Sequence, residues 1–233
     1  MTTTERRLVV AGAVLGLLLG GCGGGDGSTG GAPGGPAAPA DHADPADPPG
    51  GAPAPPATFD ADVVPGADGV RITYTLRNDG TGELLVVDGV PRPSGATVRY
   101  APDRAYVTGR GADGILLSQR VFPWPDTDGM AWDQAPRVGV TRLAAGQELR
   151  RELTVAEPFV RAHPFGDDLG DGPVALPAHP SEVTFCLGVI APPYPPALAL
   201  DEGEGEDDVP TVNHGNVPWA AQHQLCSDPV PLD

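Results

Sequence analysis

The sequence contains no lysine: all 14 basic residues are arginine, they face 31 acidic residues, and the formal net charge is −17. The absence of lysine excludes Schiff-base catalysis and the lysine of a phosphate-binding P-loop. The excess of negative charge repels phosphate backbones, so nucleic acid is excluded as an expected partner.

Aromatic residues are also scarce, at 5%, whereas glycine (33) and proline (29) together exceed a quarter of the 233 residues. This composition disfavours a helical protein and favours a fold with many turns. The motifs GxSxG, SxxK, HExxH and the P-loop are all missing, so no reaction is indicated and no catalytic residue is assigned. A hydrolytic triad assembled from distant residues stays open, with candidates His163, His179, His214, His223, Ser181 and Ser227.

Long hydrophobic runs are lacking as well. The apolar stretch Leu8–Leu19 has about twelve residues, fewer than the ~20 that a spanning helix needs. It follows Arg6 and Arg7 and leads into small residues, which is the order of a bacterial export signal.

The end of this signal, Leu19-Gly20-Gly21-Cys22, resembles the lipobox of bacterial lipoproteins. The resemblance implies that a diacylglyceryl group joins the Cys22 sulfur and that signal peptidase II cuts before Cys22, so that residues 1–21 are removed. Two or more acyl chains hold a protein on a membrane where one would be marginal. An ordinary secretory signal with a chance cysteine is the alternative.

Residues 22–57 follow as a linker that is mostly glycine, proline and alanine. Such a segment lacks the apolar surface needed to offset its ordering entropy, so the sequence predicts a disordered tether. A coil of this length spans roughly 30–35 Å root-mean-square.

Residues 58–233 carry the strand signals. "VRITYTLRN" alternates apolar and polar residues with a period of two, and turn residues separate it from "LLVVDGV". "RLAAGQELRRELTV" predicts a strand pair joined at 144–147, with Gly146 available for a positive φ. About eight or nine such strands and no convincing helix predict one all-β domain, a β-sandwich. The pattern resembles immunoglobulin-like modules of bacterial surface proteins.

Two cysteines lie in this domain, Cys186 and Cys226. Export would place them in an oxidising compartment, where we expect them to form one disulfide. A redox-active pair is the alternative, although no CxxC-type spacing supports it.

The segment "DTDGMAWD" offers Asp126, Asp128 and Asp133 as oxygen ligands, and clustered carboxylates beside a glycine turn suit calcium. Calcium is therefore the one cofactor that the sequence leaves open. The alternative is a solvated acidic loop.

Three aromatic residues lie in proline-rich connections rather than in strands: Trp124, Trp132 and Tyr194. Exposed aromatic side chains can anchor a protein partner or a glycan. Folding back to cap the sandwich is the alternative role.

These patterns together predict a lipoprotein anchored at the extracytoplasmic face of a bacterial membrane and displaying an acidic β-sandwich. Non-enzymatic binding or scaffolding, with an envelope protein as partner, is the preferred hypothesis. A calcium-stabilised adhesion or solute-binding module and an envelope hydrolase are the alternatives.

Overall fold

The computed structural model describes residues 54–125, 135–166, 175–203 and 209–232. The strands in these residues are β1 (Ala57–Gly66), β2 (Gly69–Asn78), β3 (Leu84–Ser94), β4 (Thr97–Ala101), β5 (Tyr106–Arg110), β6 (Gly114–Gln119), β7 (Arg137–Leu143), β8 (Glu148–Ala156), β9 (Glu182–Ile190), β10 (Thr211–Asn213), β11 (Gln222–Cys226) and β12 (Val230–Pro231). A short helix α1 (Asn216–Ala221) and a 3-10 turn (Pro196–Leu198) accompany them.

The strands form two sheets. The small sheet has the order β1-β2-β8, and the large sheet has the order β10-β7-β3-β9-β6-β5, with β4 added to β3 and with β11 and β12 added to β9. The two sheets share an apolar cluster that includes Ile72 and Leu153 from the small sheet and Val86 and Phe185 from the large one. The prediction of an all-β sandwich is therefore confirmed.

The small sheet buries one face. Burial alternates along β2 and β8, as the period of two in the sequence predicts for a sheet with one face in solvent.

The large sheet is buried on both faces, which explains its continuous apolar runs "LLVVDGV" and "VTFCLGVI". In β3, Leu84 and Val86 belong to the cluster facing the small sheet, whereas Leu85 and Val87 belong to a second cluster on the opposite face. Connecting segments that carry Trp124, Tyr194 and Trp219, among others, cover this second cluster. The domain therefore has three layers: small sheet, large sheet and a cover of connections.

Strand β9 lies at the centre of the large sheet. Along one edge, the first part of β9 pairs in parallel with β6 and its last part pairs antiparallel with β3. Along the other edge, β9 pairs antiparallel with β11 and β12. Cys186 and Cys226 are directly opposite each other in β9 and β11, with a Cα–Cα distance of 4.1 Å, and they form a disulfide. The expected bond is confirmed, and it ties β11 to the middle of the sheet.

Two expectations about local structure are wrong. Strands β7 and β8 exist, and Gly146 between them has φ +73°, but they do not pair, because β7 belongs to the large sheet and β8 to the small one. Asn78 holds this crossing connection: its carbonyl accepts the Gly146 N–H at 2.8 Å and its side-chain amide donates to the Leu143 carbonyl at 2.8 Å. The short helix α1 was also unexpected.

A polar group bridges the two sheets inside the sandwich. Arg151 of β8 donates from Nε to the Asp88 carboxylate of β3 at 3.1 Å, and Thr141 of β7 donates to the same carboxylate at 2.8 Å. Burial raises the pKa of Asp88, and the bonds from Thr141 and Arg151 oppose that rise. Nearby, the Tyr74 hydroxyl donates to Gln119 Oε1 at 2.8 Å. Because each of these buried groups has a partner, the network stabilises one position of the small sheet relative to the large sheet.

Candidate functional site

A cavity of about 290 Å³ opens at one end of the sandwich. Its walls come from the start of β6, the segment that leaves β8, the segment that leads into β9, and the C-terminal end of the described chain. The lining residues are Ile115, Glu157, Pro158, Phe159, Leu176, Pro177, Ala178, Pro180 and Leu232.

Backbone hydrogen bonds position these walls. Ser181 donates from its backbone N–H to the Asp113 carbonyl and from its hydroxyl to the Asp113 carboxylate, at 2.8 and 2.7 Å. The Ser181 carbonyl accepts the Leu232 N–H at 2.8 Å. Ser181 thus joins the segment before β9 both to the β5–β6 turn and to the C-terminal wall. On the other side, Glu157 donates its backbone N–H to the Asp68 carbonyl at 3.4 Å.

Most of the residues that line this cavity are apolar. Three of its residues are prolines, which have no N–H donor, and most of the others are aliphatic or aromatic. Glu157 is the single ionisable side chain among the lining residues, and it is exposed. The walls therefore suit an apolar group, and Glu157 adds one negative charge at the edge.

The candidate histidine His214 lies in the other buried region, beneath the cover of connections. Its Nδ1 accepts the Phe122 backbone N–H at 3.1 Å and its Nε2 lies 2.9 Å from the Tyr106 hydroxyl. Burial lowers the pKa of His214 to about 3, and repulsion from His163 in its protonated form and from Arg120 adds to this effect. The ring is thus neutral at ordinary pH, and because Nδ1 accepts, Nε2 carries the proton and donates to Tyr106. These contacts give His214 a structural role.

His163 belongs to the same aromatic group. Its ring centroid lies 4.5 Å from that of Phe122, edge to face, and Phe165 packs 5.5 Å from Trp124. Burial first, then Arg161 and Arg120, lower the pKa of His163 to about 4. Two neutral histidines therefore pack here as aromatic residues.

The two candidate serines bond elsewhere. Ser181 donates its hydroxyl proton to Asp113, as described above, and Ser227 donates its proton to the Asp228 carbonyl at 2.9 Å while accepting the Phe185 N–H at 3.1 Å. Each serine has one hydroxyl proton, so neither hydroxyl donates to a histidine in this arrangement.

Of the aromatic residues predicted to bind a partner, Trp124 and Tyr194 are described. Trp124 donates its backbone N–H to Asn216 Oδ1 at 3.0 Å, and the Tyr194 hydroxyl donates to the Glu83 carbonyl at 2.5 Å. Both side chains are partly buried against the second cluster. They cover the outer face of the large sheet and leave part of each ring accessible.

Several predicted positions lie outside the described residues: Cys22, Asp126, Asp128, Trp132 and Asp133. Lipidation and calcium binding therefore remain predictions. Within the four described stretches, no group of three or more histidine, cysteine or acidic residues could hold a metal ion. The same stretches contain no helix that is long and apolar enough to cross a membrane.

The cavity was not anticipated from the sequence. A signal was present in the dense proline spacing of "AEPFVRAHP" and "LPAHPSE", which flank β8 and β9 and are the sources of two walls. Periodicity does not reveal such a site, because its residues come from four separate segments.

The comparisons with known proteins return no relatives: no family model, no curated protein and no solved structure matches this chain.

Proposed function

We propose that this protein is a lipid-anchored protein of the bacterial cell envelope, and that its β-sandwich binds a ligand non-catalytically in the cavity at one end of the domain. The anchor part of the proposal is supported by the lipobox resemblance at Cys22. The disulfide between Cys186 and Cys226 supports the export part, because such bonds persist in oxidising compartments.

The observation that carries the binding part is the cavity itself, whose lining residues are apolar except for Glu157 and include three prolines. His163, His214, Ser181 and Ser227 are not among its lining residues, whereas His179 lies between the lining residues Ala178 and Pro180. Cavities of roughly 300 Å³ and above, mainly apolar with a few polar groups, are typical of small-molecule sites.

The position of the cavity suits a tethered protein. The described chain begins beside the end of β2, where Asp79 donates its N–H to the Pro56 carbonyl at 2.9 Å. The cavity residue Glu157 contacts Asp68, just before the start of β2. These ends are separated by the length of a ten-residue strand, about 30 Å. The cavity therefore lies at the end of β2 opposite to the end at which the described chain begins.

The anchor is tested with Cys22→Ala in the native host. We expect wild-type protein to partition with membranes and to take up labelled palmitate, and the variant to do neither. Lipid labelling of the variant would refute the anchor assignment.

Cavity binding is tested with the full chain and a neutral apolar fluorophore, N-phenyl-1-naphthylamine. We expect saturable fluorescence enhancement that Ala178→Trp abolishes, since the indole occupies the cavity. Ala145→Trp is the matched control, because Ala145 is exposed in the β7–β8 connection. Equal binding by wild type and both variants would refute the proposed site.

A further inference from the structure

The cavity mouth has an acidic character. Glu157 lines the cavity, Asp113 accepts a hydrogen bond from Ser181, which follows the lining residue Pro180, and Asp68 accepts the Glu157 N–H through its backbone carbonyl. Glu182 begins β9 opposite Gly114, next to the lining residue Ile115. Arg110, which pairs with Gly114 in the β5–β6 hairpin, is a basic residue at the same end. Two further basic residues are near the walls in the sequence: His179 lies between the lining residues Ala178 and Pro180, and Arg161 follows Phe159 by two positions. Among the lining residues themselves, Glu157 is the single charged group.

We propose that the cavity takes the apolar part of a cationic organic ligand, an alkyl- or arylamine, whose ammonium group pairs with Glu157 at the mouth. This inference rests on the proposed binding function and specifies the chemistry of the ligand. The pairing is the specificity determinant, whereas the apolar walls supply most of the affinity.

The size of the cavity limits the ligand. An apolar cavity of roughly 150 Å³ accommodates benzene, and the present volume of about 290 Å³ is nearly twice as large. A fused bicyclic ring or a branched alkyl group of similar volume therefore matches it.

The walls also select against anions. A carboxylate or sulfonate drawn into the cavity would lose its hydration, and the prolines at 158, 177 and 180 provide no N–H groups to replace it. An ammonium group attached to a buried ring keeps its hydration at the exposed edge and gains the Glu157 carboxylate.

The test uses three competitors that share one ring: 2-(1-naphthyl)ethylamine, 2-(1-naphthyl)ethanol and 1-naphthylacetate. Each displaces the neutral fluorophore from the full-length protein at low salt. We expect the order amine, then alcohol, then carboxylate. Glu157→Gln should weaken amine binding roughly two- to fivefold, as expected for an exposed ion pair, and should leave the alcohol unchanged.

Two further variants make the result specific. Glu157→Arg should invert the preference between amine and carboxylate. Glu148→Gln, at the exposed start of β8 and far from the cavity, should change nothing. Added salt should reduce the advantage of the amine.

The outcomes separate the two proposals. Equal affinity of all three competitors, unaltered by Glu157→Gln, would overturn the cationic preference while the binding function stands. Failure of every competitor and of the fluorophore itself would overturn both.

Discussion

Replacing Arg151 by Met should destabilise the protein strongly near neutral pH and far less in acid. The substitution keeps most of the aliphatic length of the side chain but removes the charge that pairs with Asp88 across the sandwich. The Asp88 side chain is 3% exposed and that of Arg151 is 28% exposed. A buried carboxylate would therefore lose its cationic partner while retaining the Thr141 hydroxyl.

Breaking a fully buried ion pair by removing one partner costs about 3–5 kcal/mol. Because the guanidinium is partly exposed, water can solvate the Asp88 carboxylate in its place to some extent. We therefore expect Arg151→Met to lower the free energy of unfolding by about 2–4 kcal/mol at about pH 7. Arg150→Met is the matched control. Arg150 is the preceding residue in β8, is exposed and lies on the opposite face of the strand. Its replacement should therefore change the free energy of unfolding by no more than about 0.5 kcal/mol.

The pH dependence follows from Asp88. Burial raises the pKa of Asp88 in the folded wild type, and removing Arg151 takes away an interaction that lowers it, so the pKa rises further in the variant. The folded variant then takes up a proton at a higher pH than the unfolded chain does. The loss of free energy of unfolding relative to the wild type is therefore largest above the folded-state pKa of Asp88, and it shrinks as the pH falls through that pKa.

Urea unfolding of both variants and the wild type, at about pH 7 and again at about pH 4.5, measures these differences as free energies of unfolding. Adding Asp88→Asn, alone and together with Arg151→Met, completes a double-mutant cycle, which gives the coupling free energy between the two side chains. If Arg151→Met costs the same at both pH values, the loss comes from packing and the ionic bridge contributes nothing to stability.

Two other predictions concern the disulfide and the buried histidine. Replacing Cys186 and Cys226 together by Ala should lower the free energy of unfolding by about 4 kcal/mol, the chain-entropy value for a separation of 40 residues; denaturation that is equal with and without the bond would contradict this. His214→Asn keeps an acceptor for the Phe122 N–H but removes a group whose pKa falls from its ordinary value of 6.5 to about 3 on folding. A histidine whose pKa is depressed by folding makes the protein less stable as the pH drops from the unfolded-state pKa toward the folded-state pKa. The variant should therefore lose less free energy of unfolding over that pH range than the wild type does. An equal loss in both proteins would show that His214 is already accessible to protons.

The sequence by itself determined where most strands lie, because alternation and apolar runs are local properties of the chain. The period of two over β2 and the turn glycine Gly146 were readable in this way, and the pairing of Cys186 with Cys226 followed from two cysteines in a domain that the sequence predicts to be exported. The expected lipidation of Cys22 is likewise local, since it depends on the residues immediately before the cysteine.

Only the tertiary structure decided which sheet each strand joins. The turn at Gly146 is compatible with a hairpin, and the crossing to the other sheet depends on Asn78, far away along the chain. Burial of His214 and the assembly of the cavity likewise depend on segments separated by many residues, such as Ile115 and Leu232. These features arise from long-range packing, whose contacts leave no periodic pattern in any one segment.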